Sequence, residues 1–139
     1  DVSNLLDKSS AQFVKLGNLD VYKMREWYQA ADLIVIPSLM EAVSLAAVEA
    51  MSCGTPVLAT SVGGMPELIE HGVNGYLVPP KDSDALAESI IAISQDYRRY
   101  PIAYEALKLV TESYDWKTIA TATETVLLTG TKCTETVIT

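Results

Sequence analysis

Positive charge is what this chain has least of: ten Lys and Arg stand against eighteen Asp and Glu, a net charge of −8 over 139 residues. Nucleic acids and anionic lipid surfaces recruit basic stripes, so neither is an expected partner. Cysteine is scarcer still. Cys53 and Cys133 are the two present, far apart and without the close Cys or His neighbours that hold a metal. No metal site and no disulfide framework are expected, and a reducing, cytoplasmic setting fits. The single histidine, His71, lies in a turn-rich stretch with no acid–Ser or acid–Cys arrangement, which excludes a nucleophilic triad and predicts a surface-loop residue. The opening residues Asp1, Val2, Ser3 and Asn4 lack a basic stretch followed by an apolar one, and no apolar run nears the roughly 20 residues of a membrane-spanning helix. The expectation is a chain without an export signal and without direct membrane contact.

What is present is 49% hydrophobic and 20% charged residues, the balance of one globular domain with a single core. That domain is expected over residues 1–128, with the Thr-rich, aperiodic residues 129–139 as a flexible tail. Short apolar runs at 13–17, 33–36, 56–59 and 76–78 read as strands buried on both faces. Val21, Met24, Tyr28 and Ala31 fall at helical spacing behind an Asp20 cap. Further helices are predicted over 44–52, from Asp82 with Leu86, Ile90 and Ile93 on one face, over 102–111, and from Trp116 to about Leu127 behind Asp115. Met51, Trp27, Trp116 and the tyrosines occupy positions that face a core. Strands spaced by helices cannot be hairpins, so they are parallel, with ligands expected at their carboxyl ends. The fold class is α/β, a doubly wound, Rossmann-like parallel sheet of four strands that lacks its first β-α-β unit. A sheet so cut exposes an edge through which copies can self-associate.

Two carboxylates stand eight residues apart, Glu41 before a predicted helix and Glu49 inside it. Apolar residues surround that helix, leaving Glu49 no obvious solvent face, and an unpaired buried carboxylate costs several kcal/mol. Glu49 must meet donors: ribose hydroxyls would serve, as would the cap of a neighbouring helix. For Glu41 the competing reading is an ordinary loop acid. Gly63 and Gly64 permit a close backbone approach with amides free to hold an anion, although a turn that merely reverses the chain uses the same residues. Residues 37–80 contain no Lys or Arg, so a phosphate bound there would rest on backbone N–H groups and helix dipoles. Asp82 and Asp84 imitate an Asp-x-Asp metal motif, yet they open a helix where acids cap. Arg98 and Arg99 precede Pro101 and read as cations closing a helix.

Several segments together resemble one family. Pro37-Ser38, Glu41 through Glu49-Ala50-Met51, Cys53-Gly54-Thr55-Pro56-Val57, Gly63-Gly64-Met65-Pro66-Glu67 and Asn74-Gly75-Tyr76-Leu77-Val78-Pro79 are similar, in order and spacing, to the group 1, or family 4, retaining glycosyltransferases of GT-B fold. The likeness runs from about Val14 to Trp116 and implies the later part of the C-terminal, nucleotide-sugar-binding half. It implies a donor that is a UDP-, GDP- or ADP-sugar, no cofactor and no bound metal. Glu41 would approach the donor sugar as the catalytic residue, Glu49 would bind the ribose, and the backbone around Val43, Ser44 and Leu45 would face the sugar or its diphosphate. Relatives commonly carry Gly-Phe-Gly-Leu after the first Glu, where this chain has Ala42-Val43-Ser44-Leu45; Ser44 can offset the lost glycine by capping the helix or bonding the ligand. The family's cations for the departing diphosphate precede the matched region, and its acceptor side lies in an N-terminal domain, through which the intact enzyme can dock on the cytosolic face of a membrane. The resemblance therefore implies that the chain alone binds a donor without turnover. Two other classes compete: a non-catalytic nucleotide-binding or interaction module, and half of a nucleotide-sugar epimerase, against which the Glu41 and Glu49 pair argues.

Overall fold

A computed structural model describes residues 12–129 as alternating helices and strands. The order is α1 (Val21–Ala30), β1 (Ile34–Ile36), α2 (Leu45–Ser52), β2 (Val57–Thr60), α3 (Met65–Leu68), β3 (Tyr76–Val78), α4 (Ser83–Gln95), α5 (Arg99–Ser113) and α6 (Trp116–Thr129). The predicted caps form: an Asp20 oxygen accepts from the amides of Tyr22 and Lys23 at 3.0 and 2.9 Å, and Asp82 accepts from that of Ala85 at 2.9 Å. Asp115 caps α6 in the same way, accepting from Lys117 N–H at 3.0 Å. Each bond satisfies an amide that the first helical turn would leave open. Asp82 is therefore a cap, as its place before a helix predicts.

The three strands lie in the order β1-β2-β3, both pairs parallel, with Ile34 opposite Val57 and Leu58 opposite Tyr76. Successive side chains of a strand point to opposite faces, and the core divides accordingly. Val57 and Ala59 of β2 join Tyr28, Ala47, Met51, Ala106 and Val110 on the face covered by α1, α2 and α5. Leu58, Tyr76 and Val78 meet Ile93 of α4 on the other. Helices thus cover both faces, the doubly wound arrangement that uninterrupted apolar strands require.

Some expectations fail for identifiable reasons. Residues 13–17 form no strand; a strand exists only where a neighbour supplies ladder bonds, none of the described strands pairs with this segment, and Val14 is 71% exposed. The described sheet therefore has three strands, not four. The helix expected over 102–111 starts earlier, at Arg99, with Pro101 inside the first turn of α5, where its missing N–H has no helical acceptor to lose. The apolar stripe of α6 is real yet uncovered: none of its residues is buried and Trp116 is 82% exposed, so Trp116 anchors nothing among the described residues. Trp27 and most of the tyrosines are likewise outside the core, because helical spacing shows that a stripe exists and not what packs on it. Of the tail expected over 129–139, Thr129 is the last residue of α6, and the rest, with Cys133, lies outside the described residues.

Met51 is fully buried where α2 meets the sheet. Met51→Ala is expected to lower unfolding free energy by about 2–5 kcal/mol, whereas Ile91→Ala, on an exposed face of α4, should stay within about 0.5 kcal/mol of the parent. Urea unfolding of the two variants checks the assignment of the core.

Candidate functional site

Because β1 and β2 are parallel neighbours, they release the chain at the same edge of the sheet, β1 into residues 37–44 and β2 into residues 61–64. Several bonds bind these two loops together. The Thr60 hydroxyl donates to the Ser38 carbonyl, and the Ser38 hydroxyl donates to a carboxylate oxygen of Glu41 at 3.4 Å. Gly64 N–H donates to the Ala42 carbonyl at 2.6 Å. No side chain fits between the loops: a Cβ on Gly63, which has φ +54°, would overlap the Glu41 carbonyl oxygen, and one on Gly64 would run into that of Ala42. The glycine pair does permit a close approach, as its sequence suggests, but the group approached is the chain's own Glu41 and Ala42 backbone.

The same edge holds the start of α2. The Ser44 carbonyl accepts from Ala47 and Val48 N–H at 3.1 and 3.2 Å, so the amides of Leu45 and Ala46 come before the first helical hydrogen bond. A helix end of this kind, with its positive dipole, favours an anion. Ser44 is buried, and its hydroxyl makes no capping bond, so the helix cap expected to offset the lost glycine is not made. Val43 and Leu45 are exposed beside it, Leu45 by 75%.

Glu49 follows Leu45 by one helical turn, on the same side of α2. The sequence predicts a carboxylate without a solvent face; the structure corrects this. Ala47, Ala50 and Met51 carry the packing of α2, while Leu45, Glu49 and Ser52 form an exposed strip, because a helix of small apolar residues buries only the side that meets the sheet and α5. Glu49 looks onto a cleft of about 410 Å³ lined by Leu19, Val21, Met24, Arg25, Tyr28, Ser52 and Cys53. Among the described residues its one side-chain donor is the Tyr28 hydroxyl at 3.2 Å, not a helix cap. Burial, then the charge and hydrogen bond of Glu49, raises the Tyr28 phenol above its ordinary value, so it remains a donor. Tyr28 and Arg25 went unread as site residues; their signal is α1 spacing, which places residues 21, 24, 25 and 28 on one side of a helix.

The other candidates do not join this edge. His71 Nδ1 accepts the Leu77 amide at 3.0 Å, a structural bond in a surface loop. Arg99 starts α5 rather than ending a helix, yet its guanidinium donates to the Ser94 carbonyl at 2.8 Å near the end of α4, so the cation does sit at a helix C-terminus. Among the described residues no three His, Cys, Asp or Glu side chains converge as metal ligands would, and no helix is long and apolar enough to cross a membrane.

Parallel strands with two loops and an open helix start at one edge define a Rossmann-like ligand-binding layer. The particular family follows from comparison. The family described as glycosyl transferases group 1 matches residues 3–96, and the chain belongs to it. Over 112 residues it is 42% identical to an uncharacterized glycosyltransferase of Methanocaldococcus jannaschii, covering 79% of this chain and 28% of that protein. Sucrose-phosphate synthase of Thermosynechococcus elongatus superposes with a TM-score of 0.81 at 31% identity, over 94% of this chain and 34% of that one. HepE of Anabaena, solved in complex with UDP and glucose, gives a TM-score of 0.81 at 32% identity, over 92% and 34%. The chain thus spans about a third or less of the length of these relatives. The likeness extends to the GT-B glycosyltransferase C-terminal domain that the sequence motifs imply.

Two substitutions test the contact between the loops. Gly72 has φ +78° with open space where a Cβ would stand, so Gly72→Ala should cost only the left-handed backbone term of about 1–2 kcal/mol. Gly63→Ala carries that cost and the collision with Glu41, and its urea midpoint should fall further. A phenol with a raised pKa stabilises the fold fully below the unfolded value, and the contribution is lost as pH climbs through the folded one. Stability should therefore decline above about pH 10, and Tyr28→Phe should decline less steeply than the parent when urea midpoints are compared from pH 9 to 11.

Proposed function

We propose that this chain is the donor-side portion of a retaining glycosyltransferase that moves a hexose from a nucleoside diphosphate to an acceptor hydroxyl without a bound metal. One juxtaposition carries the reading: Glu41, the open amides at the start of α2 and the Gly63 and Gly64 loop share one sheet edge, with Glu49 a helical turn further on. In this proposal the diphosphate lies at the amides near Val43, Ser44 and Leu45, the Glu49 carboxylate accepts from the ribose hydroxyls, and Glu41 accepts from a hydroxyl of the donor sugar at the reacting end. Gly63 and Gly64 hold Glu41 in place, and Arg25 is a cation on the Glu49 cleft.

Breaking the bond between the sugar and its diphosphate develops negative charge on the leaving group, and preorganised donors that stabilise this charge lower the barrier. Residues 37–80 contain no Lys or Arg to supply a fixed cation for it. Turnover therefore requires cations and an acceptor side from the remaining length that the relatives possess, and this chain alone binds donor without transferring it. The setting proposed is cytoplasmic, in keeping with Cys53, whose thiol is unpaired among the described residues. The outer edge of β1, unpaired among the described residues, is where a second copy would add.

A non-catalytic nucleotide-binding module is the second reading, favoured by Ala42 and Ser44, which add Cβ atoms where relatives commonly have glycines. If the intact protein turns over no donor, that reading replaces the first.

HepE was solved with UDP and with UDP-glucose, so uridine donors come first in a ligand-observed NMR titration with UDP, GDP, ADP and their sugar conjugates. One base series should bind. Glu49→Gln removes a charged acceptor worth about 2 kcal/mol, or roughly thirtyfold in affinity. Unchanged binding by the folded variant would exclude Glu49 from the ribose site.

A further inference from the structure

Among the described residues, two buried side-chain polar atoms make no hydrogen bond, the Tyr76 hydroxyl and Arg99 Nε. Both belong to one neighbourhood, where β3 begins and α4 hands over to α5. An unsatisfied buried donor costs about 1–3 kcal/mol, and native interiors rarely keep one without a ligand, ion or water to meet it. Tyr76 is 8% exposed and lines a cavity of about 350 Å³ together with His71, Gly72, Asp96, Arg98, Pro101 and Ile102. This cavity opens at the amino end of β3, beside α4 and α5, whereas the Glu41 loop leaves the carboxyl end of β1. It is a separate place.

The hydrogen-bonding inventory of the cavity is uneven. His71 Nδ1 lies 3.0 Å from the Leu77 amide and 3.1 Å from the Leu77 carbonyl; in the tautomer whose Nδ1 accepts the amide, Nε2 carries the proton and is a donor. Arg98 spends Nε and one terminal nitrogen on Asp96, each at 2.8 Å, and its remaining guanidinium hydrogens are donors too. The Asp96 carboxylate is already occupied by Arg98, through both the side chain and the backbone amide at 2.9 Å, so it offers little to a ligand and its charge is compensated. The charges that act on the Tyr76 hydroxyl are those of Asp96, Arg98 and Arg99, which places that end of the ring at the same junction. Arg98 is the movable wall, with its side chain 83% exposed.

We infer that the cavity between His71, Tyr76 and Arg98 is a binding site for a small oxyanion, a phosphate group, whose oxygens accept from the Tyr76 hydroxyl, His71 Nε2 and Arg98. Charge-assisted bonds from a guanidinium suit a tetrahedral oxyanion, and a compact acceptor is what a cavity with surplus donors lacks. The group belongs either to free phosphate or to a small phosphomonoester.

The single histidine makes the test direct, because the imidazole ring protons of the full chain report one residue. At one fixed pH, inorganic phosphate and glycerol 3-phosphate are added separately at constant ionic strength, with sodium chloride as the control. The expected result is a saturable shift of the His71 ring signals with phosphate but not with chloride. Arg98→Gln, a surface change that leaves the core intact, should weaken the response at least tenfold. Tyr76→Phe should remove it while leaving the melting temperature of the ligand-free chain unchanged or higher, since an unpaired hydroxyl disappears. A stronger response to glycerol 3-phosphate identifies an esterified phosphate, and a response to inorganic phosphate alone identifies the free ion. A linear or absent shift with both, or the same saturable shift in Arg98→Gln, overturns the site.

Discussion

The contact between the Glu41–Ala42 backbone and Gly63 with Gly64 constrains the whole candidate site. A single 2.6 Å bond from Gly64 N–H to the Ala42 carbonyl, with no room for a Cβ on either glycine, fixes the β1–α2 loop against the β2–α3 loop. Thr60 reinforces it from the end of β2 by donating to Ser38. Parallel pairing of β1 with β2 brings the two loops to one edge, and the glycines decide how closely they meet. The position of Glu41 and the direction in which α2 starts both follow. Chemistry at this edge thus depends on backbone geometry as much as on the acids.

The two carboxylates take unlike positions on this frame. Glu41 is half-buried in the loop with Ser38 as its donor, and Glu49 is exposed at a cleft with Tyr28 as its donor. An exposed acid on a ligand-sized cleft avoids the desolvation cost that a sealed carboxylate would carry, and it leaves acceptor capacity for a ribose. The helix that follows Glu41 and carries Glu49 gives the open amides of Leu45 and Ala46. In the proposed donor site, this one eight-residue helix would thus link the group assigned to the sugar, the amides assigned to the diphosphate and the group assigned to the ribose.

Much of this was legible in the residues. Uninterrupted Ile34-Val35-Ile36 and Val57-Leu58-Ala59 can only be strands covered on both faces, and Asp20, Asp82 and Asp115 stand where helix starts need an acceptor. The motifs carried the family. What was illegible depends on partners that local pattern does not name. Residues 13–17 have strand composition, yet a strand needs a neighbour. The exposure of Glu49 follows from which side of α2 meets the sheet, and the composition of α2, apolar on nearly every side, hides it. Gly63 and Gly64 announce a close approach without saying to what. Trp116 carries a large apolar side chain on a helix whose stripe no described residue covers.

Backbone amide shifts of the isotope-labelled chain, followed while UDP is added, test the central claim most directly. The account predicts that the largest changes fall on Val43, Ser44, Leu45, Glu49, Gly63 and Gly64, with those at the start of α2 matching the diphosphate. Binding of UDP with its largest changes elsewhere, and these six amides unmoved, would contradict the assignment of this edge as the donor site.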